Sequence, residues 1–331
     1  NMTKETTTEL SEVVTRFTGK RILVVGDIMI DRYVFGKVER LNPEAPVPIL
    51  SAKSEIRSTG GAGNTAKNAA ALGAITTLIS VTGEDKSAAD IVTCAYDEGY
   101  RAVLVRNAGR PTTEKRRYNM ASQQMLRVDY EETSDVSEEI ESMIVAAIKE
   151  EAARTDAIIV SDYAKGVITR KVAEAVMKSV VTHAIPVMAD VKPSHIDYFI
   201  GATLISPNRK EAHEYLGLNQ HLRGGQSMEE LARRLKSSFD VGVFLTLSEG
   251  GIYVLTSQTN GLHVRQRHRI EVADTSGCGD TAAVALTLAK LVGATDSQAA
   301  EIGNAAGAMI ASKIGAVALT QSELMKILIH S

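Results

Sequence analysis

Cysteine is scarce in this chain. Cys94 and Cys278 are its two, too few for a disulfide framework, and no grouping of Cys and His has zinc-ligand spacing. Basic residues show no surplus: Lys plus Arg number 37 against 40 Asp plus Glu, a formal net charge of −3, whereas a nucleic-acid binder usually carries a basic excess. No apolar run approaches the roughly 18 residues that a membrane span needs. The N-terminus lacks the basic, apolar and small-residue pattern of a secretory signal, and Asn1 ahead of Met2 reads as an added residue. No repeat or low-complexity linker divides the chain. These absences argue against nucleic acid or a membrane as partner and predict a soluble, cytoplasmic protein. What remains is 331 residues with 44% apolar and 23% charged side chains, near globular averages. At about 100–200 residues per domain, that allows one large domain or two smaller ones.

Short apolar runs alternate with helical stretches along most of the chain. Strands are predicted at Ile22–Gly26, Ile75–Val81, Ala157–Val160, Pro186–Ala189, Thr203–Ser206 and Val243–Leu247. Helices are predicted at Asn64–Leu72, Ser87–Glu98, Ser137–Ala153, Arg170–Val181, Met228–Ser238, Thr281–Val292, Ser297–Ser312 and Gln321–Ile329. Continuous Val/Ile/Leu runs suit strands covered on both faces. The expected fold is therefore α/β, a doubly wound and mainly parallel sheet with helices on both faces, in one main domain. Two segments break the rhythm. Val34–Ile56 holds Pro43, Pro46 and Pro48 between β-like stretches, and Thr112–Tyr130 has a candidate hairpin turn at Asn119–Gln123. Both lack a partnering helix, so they predict a small separate sheet: a lid, a dimer contact or plain decoration.

Two glycine clusters carry the chemistry. The amides at a helix start have no helical partner and sit at the positive end of the macrodipole. Gly277-Cys278-Gly279, without bulky Cβ atoms to block approach, makes a phosphate-sized pocket at such a start. Asp280 stands beside it, either as an ordinary helix cap or as a base that takes a hydroxyl proton during phosphoryl transfer. The other cluster is Gly60-Gly61-Ala62-Gly63-Asn64. It passes for a dinucleotide fingerprint with Glu84 or Asp85 downstream, but the charged Ser51–Ser58 ahead of it is unlike a buried first strand. A substrate loop in which Asn64 meets a polar ligand is favoured, with a plain helix cap as the bland alternative. No Walker loop and no H-R-D or D-F-G set occurs, so any ATP must be held by the helix-terminus device.

The run Asp274-Thr275-Ser276-Gly277-Cys278-Gly279-Asp280-Thr281 resembles the C-terminal signature of the ribokinase-like (PfkB) carbohydrate kinases, and the Gly60 cluster suits that family's first signature. Asn208-Arg209-Lys210-Glu211 resembles its N-x-x-E motif, and Thr246-Leu247-Ser248-Glu249-Gly250-Gly251 its nucleotide loop. Asn304 falls where the family has an asparagine near adenine. The runs Gly26–Tyr33, Asn42–Pro48, Gln123–Asp129 and Ser161–Gly166 narrow the likeness to the heptose 7-phosphate kinases of ADP-heptose synthesis, here in stand-alone form. Three departures stand out. Cys278 replaces an alanine, as an inert filler or a thiol activated by the helix terminus. Asp190-Val191-Lys192 replaces D-P-K, and Leu41-Asn42 replaces I-S.

The resemblance implies ATP and Mg²⁺, with Asn208 and Glu211 holding the metal partly through water, and leaves open a monovalent cation near Asp274. It implies in-line attack of a sugar hydroxyl on the γ-phosphorus of ATP, with Asp280 as base and the Gly277–Gly279 amides as anion hole. Thr246, Ser248, Gly250, Gly251 and Asn304 would border the nucleotide. Asp31, just past the first strand where open α/β sheets bind ligands, would meet sugar hydroxyls beside Asp27, Gly60, Gly61 and Asn64. Loop capping by Asp27 and an ion pair of Asp31 with Arg32 are the bland alternatives. Lys115, Arg117 and Arg127, at alternate positions of the lid strands, would meet a substrate phosphate. Asp162 and Lys165 border the site or form an ion pair. The expected partners are a sugar phosphate and ATP, with a homodimer formed through the lid. A kinase for another sugar or a nucleoside, a non-catalytic sugar-phosphate sensor, and a nicotinamide oxidoreductase stay open.

Overall fold

Alternate residues of the first long apolar run, Ile22 and Val24 against Leu23 and Val25, enter two different hydrophobic cores. That division sets the architecture, since a strand buried on both faces needs a layer of helices on each. The computed structural model describes residues 4–120, 123–218, 226–268, 277–313 and 317–329. Its first third contains α1 (Lys4–Thr15), β1 (Arg21–Gly26), β2 (Ile28–Leu41), β3 (Pro48–Gly61), α2 (Ala62–Ala71), β4 (Ile75–Thr82), α3 (Lys86–Asp97) and β5 (Arg101–Arg106). Then come β6 (Glu114–Met120), β7 (Gln123–Tyr130), α4 (Glu138–Ala152), β8 (Ala157–Ser161), α5 (Arg170–His183), β9 (Val187–Asp190), β10 (Leu204–Ile205) and α6 (Arg209–Tyr215). The last part holds α7 (Met228–Phe239), β11 (Gly242–Thr246), β12 (Ile252–Leu255), β13 (Leu262–Val264), α8 (Cys278–Leu291), α9 (Asp296–Ala311) and α10 (Gln321–Ile329).

The large sheet has the order β13-β12-β11-β10-β9-β8-β1-β4-β5. It is parallel except at β12 and β13, which pair antiparallel at one edge. Helices α2, α8 and α9 pack on the Ile22 side; α4, α5 and α7 pack on the Leu23 side. Winding runs outward from β1 in both directions, so the crevice at the carboxyl ends of β1 and β8 is the switch point where such sheets bind ligands. None of the described helices is long and apolar enough to cross a membrane.

The expected small sheet is present, in the order β3-β2-β6-β7. It is mixed, because β2 pairs parallel to β6 while β2–β3 and β6–β7 are antiparallel hairpins. Its strands run closer to the large sheet than the Val34–Ile56 boundaries: pairing continues to Ile28↔Gly61. Ile28, Met29 and Ile30 are all buried, so the alternation that marks a half-exposed strand is missing there. The expected turn around Asn119–Gln123 joins β6 to β7, with residues 121 and 122 outside the described ones.

On the face that meets α3, Arg32 is buried and paired with Glu55, Asp90 and Glu114. The ion pair with Arg32 offered for Asp31 does not form; Asp31 pairs with Arg117 across the opposite face.

Near the C-terminus, burial alone would raise the Glu323 carboxyl, but Lys313 Nζ (2.8 Å from each oxygen) and Thr320 hold it down at about 2. A carboxylate whose folded value is depressed stabilises fully above its unfolded value and loses that contribution as pH falls through the folded one. Glu323→Gln is therefore expected to lower urea stability at pH 7, with the gap to the parent closing between about pH 4.5 and 2. A gap that stays constant from pH 7 to pH 3 would contradict this.

Candidate active site

The carboxyl ends of β1, β8, β9 and β11 deliver Asp27, Asp162, Asp190 and Thr246 to one edge of the large sheet. Asp27 is buried, and its two oxygens accept from the amides of Tyr163 (2.8 Å) and Val167 (3.1 Å). Burial, and then the charge of Asp162, push its carboxyl up to about 6. Both oxygens thus serve the loop after β8, as the capping alternative expects. Asp162 is likewise bonded within the protein. It accepts from the amides of Ala164 (2.8 Å) and Lys192 (3.0 Å), and His195 Nδ1 lies 2.7 Å from it.

Asp280 is the third residue of α8, whose N-cap is Gly277 with φ +75° and no side-chain cap. An L side chain is disfavoured at that φ, and a Cβ there would also lie 2.9 Å from Asn64 Nδ2. Asp280 is therefore not a cap. Asn64 Nδ2 donates to Asp280 Oδ2 (2.9 Å), and the Tyr163 hydroxyl donates to both oxygens at 3.0 Å. Burial raises the Asp280 carboxyl, while these two bonds and Lys192 oppose that rise. Burial and the charge of Asp280 keep Tyr163 far above its ordinary value, a permanent donor. Tyr163 belongs to the Ser161–Gly166 run but was not predicted as a site residue. Its sequence signals are that run and its place just after a buried strand.

The side facing the small sheet gathers cations. Asp31, Lys115 and Asp129 are register neighbours, as are Tyr33, Arg117 and Arg127, so the three predicted cations share one face. Arg117 pairs with Asp31 and lies over the Tyr33 ring. Arg127 pairs with Asp129 (2.9 Å), and Lys165 with Glu131 (2.8 Å). Burial lowers the Lys115 pKa, with Asp31 and Asp129 opposing. Gly60 lets the Asp31 carboxylate rest against the backbone, since a Cβ there would overlap it. The strand entering Gly61 belongs to the small sheet, so the parallel strand that a dinucleotide fingerprint requires is absent from its place.

Asn208 and Glu211 form a reciprocal capping box at α6: Glu211 N donates to Asn208 Oδ1, and Asn208 N to Glu211 Oε2, both at 2.9 Å. Asp190 lies near them; burial, then Asp280 and Glu211, push its carboxyl up to about 8 against the opposing Lys192. Among the described residues no three His, Cys, Asp or Glu side chains converge tightly enough to enclose a metal. Crowded carboxylates offset by one lysine fit a divalent cation held partly through water, as Mg²⁺ prefers. Asp190 and Lys192 were noted in the sequence only as a departure from a motif. Thr246, Ser248, Gly250 and Gly251 form the turn closing β11, with Leu247 N bonded to Gly251 O. Asn304 is buried on α9, and its Nδ2 donates to Val264 O (3.1 Å), holding the edge strand β13. Asp274 lies outside the described residues.

Residues 20–323 match the model of the pfkB family carbohydrate kinases. A protein of Bordetella bronchiseptica named D-beta-D-heptose 7-phosphate kinase is 39% identical over 93% of this chain and 96% of its own length. A Caulobacter vibrioides protein named bifunctional protein HldE is 38% identical over 95% of this chain but only 65% of its own length. The chain thus spans somewhat less than two thirds of that bifunctional relative. Among solved structures, Escherichia coli phosphofructokinase-2 in complex with potassium superposes with a TM-score of 0.77 at 17% identity, covering 95% of this chain and 99% of that one. Arabidopsis thaliana ribokinase complexed with ribose and ATP gives 0.67 at 20%, covering 94% and 99%.

Gly60→Ala should displace the Asp31 carboxylate and cost about 1–3 kcal/mol, the usual range for overpacking. An unfolding midpoint equal to the parent's would show that the strand pair relaxes freely.

Proposed function

The chain belongs to the pfkB family of carbohydrate kinases, and from that premise we propose that it phosphorylates the C1 hydroxyl of D-glycero-β-D-manno-heptose 7-phosphate, giving the 1,7-bisphosphate. It is an ATP-dependent sugar kinase. The observation that carries the choice of sugar is the relative of that name, alike over nearly the whole of both chains. The cation-lined face of the small sheet supports a substrate that already bears phosphate.

In the proposed reaction the sugar hydroxyl attacks the γ-phosphorus of ATP in line. Asp280 accepts the hydroxyl proton, a role worth ~10²–10⁴-fold in rate. Asn64 and Tyr163 hold its carboxylate; Oδ2 takes bonds from both and Oδ1 from Tyr163 alone, so Oδ1 has more capacity left for the substrate. Amides at the start of α8 stabilise charge on the transferred phosphoryl group. Asn208, Glu211 and Asp190 would hold Mg²⁺, which neutralises charge on the ATP phosphates when bound. Asp31 meets sugar hydroxyls while Lys115, Arg117 and Arg127 face the substrate phosphate. Thr246, Ser248, Gly250, Gly251 and Asn304 shape the nucleotide end. The small sheet acts as a lid inserted in a single kinase domain, excluding water from the transfer. Asp27 and Asp162 shape the loops that border the sugar.

The small sheet also exposes Leu41, Val47, Ile56, Met125, Leu126 and Tyr130. Apolar side chains left exposed on this sheet support a contact between two copies of the chain. Sedimentation should give a dimer that Leu126→Glu weakens; a parent monomer at micromolar concentration would refute the contact.

Asp280→Asn is expected to keep ATP binding and lose at least about a hundredfold in kcat, because the amides remain while the base is gone. Near-parental turnover would sink the mechanism. ADP release measured across phosphorylated and free sugars tests the substrate: heptose 7-phosphate should give the highest kcat/KM, and preference for free ribose or fructose would overturn it.

A further inference from the structure

Strand β3 is exposed from Ser51 to Arg57 and then buried from Ser58 to Gly61. The change falls where the strand leaves the small sheet and enters the body. At that point its backbone and side chains are gripped from two helices. From the end of α3, Glu98 Oε1 accepts from Ser58 Oγ (2.8 Å) and Thr59 N (3.0 Å), while Oε2 accepts from Thr59 Oγ1. From α2, Lys67 Nζ donates to Ser58 Oγ (2.6 Å) and to Thr59 O (3.0 Å). The Tyr100 hydroxyl donates to Thr59 Oγ1 (2.8 Å). Lys67 is only 2% exposed and Thr59 not at all. A buried cation, a carboxylate and the Tyr100 hydroxyl therefore converge on two residues, and both the N–H and the C=O of Thr59 are tied.

The residue that follows is Gly60, against whose Cα the Asp31 carboxylate rests. Because the two are in contact, a shift of the Ser58–Thr59 segment would move the surface on which that carboxylate rests. We propose that Glu98 and Lys67 are positioning residues for the sugar: they fix the root of the small sheet so that Asp31 is presented at one depth in the cleft. Neither reaches the substrate. The inference rests on the reading of Asp31 as a sugar contact. Lys67 is also near enough to feel the charges of Asp31 and Asp280, the two carboxylates assigned to the substrate. Satisfied buried networks of this kind hold a single geometry, because breaking one member leaves its partners unpaired.

The test is steady-state kinetics on the full chain with heptose 7-phosphate and ATP. Glu98→Gln keeps the shape and removes acceptor capacity; it should raise KM for the sugar about tenfold, with kcat and KM for ATP within about twofold of the parent. Glu151→Gln is the control. It breaks the ion pair with Arg101 at the start of β5, and should lower stability without moving the sugar KM. If Glu98→Gln lowers stability yet leaves the sugar KM unchanged, or moves KM for ATP equally, the clasp is only structural and the proposal falls. Should Glu98→Gln not fold, Tyr100→Phe removes one bond while leaving both charges, and a rise in the sugar KM of about twofold to threefold is expected; no rise overturns the proposal. Asp31→Asn separates the two readings. If it leaves the sugar KM unchanged, the assignment of Asp31 fails. If it raises KM while Glu98→Gln does not, the clasp alone fails. With both correct, the Asp31→Asn/Glu98→Gln pair is non-additive.

Discussion

Two main-chain amides, those of Tyr163 and Val167, donate to the buried carboxylate of Asp27, and the rest of the cleft depends on that pairing. The loop after β8 has no regular structure of its own to hold it over the sheet edge. Asp27, fixed at the end of β1 beside β8, supplies the missing acceptors. Once the loop is seated, the Tyr163 hydroxyl falls against Asp280, and Asn64 closes the other side. Three segments far apart in sequence thus meet at one carboxylate. The cost is a set of acidic groups crowded into a buried edge, visible in the raised carboxyls of Asp27 and Asp190. Such crowding is the arrangement that a phosphate-handling site with a divalent cation would relieve.

The small sheet shows how one strand pair serves two purposes through the period-two alternation of side chains. Arg32 and its neighbours turn toward α3, where Asp90 and Glu114 compensate the buried guanidinium. Asp31 and Tyr33 turn the other way, toward Lys115, Arg117 and Arg127. Buried ion pairs contribute little net stability, since desolvation offsets most of the attraction, but breaking one is costly. Their effect here is to hold the sheet against α3 so that the opposite face points at the cleft.

The fold was legible because its signals are local. Apolar runs of strand length alternating with helical periods identify a parallel sheet, and every strand and helix marked from those runs is present within a few residues. Helices α1 and α6 and the edge strand β13 were not read because they lack an apolar run, and strands β5 and β12 were missed although each is a short apolar run between glycines. The helix start at Gly277–Gly279 was readable for the same reason as the fold: a positive φ, here +75° at Gly277, is a requirement of the backbone itself. The roles of Asp27 and Asp162 were harder. A carboxylate at a strand end looks the same in sequence whether it faces a ligand or caps a loop, and here both accept from backbone amides.

Composition, periodicity and the glycine junctions by themselves determined the layered α/β fold, the helix start after Gly277 and the carboxylate beside it. Those features depend on neighbours within a few residues along the chain. Only the tertiary structure decided that Tyr163 and Asn64 hold Asp280, that Glu98 and Lys67 grip the root of the small sheet, and that Asp31 pairs with Arg117. These contacts join side chains from elements distant in sequence, and a hydrogen bond or ion pair is set by position in space to within a fraction of an ångström. No local pattern records that distance; the packing of helices on both faces of the sheet creates it.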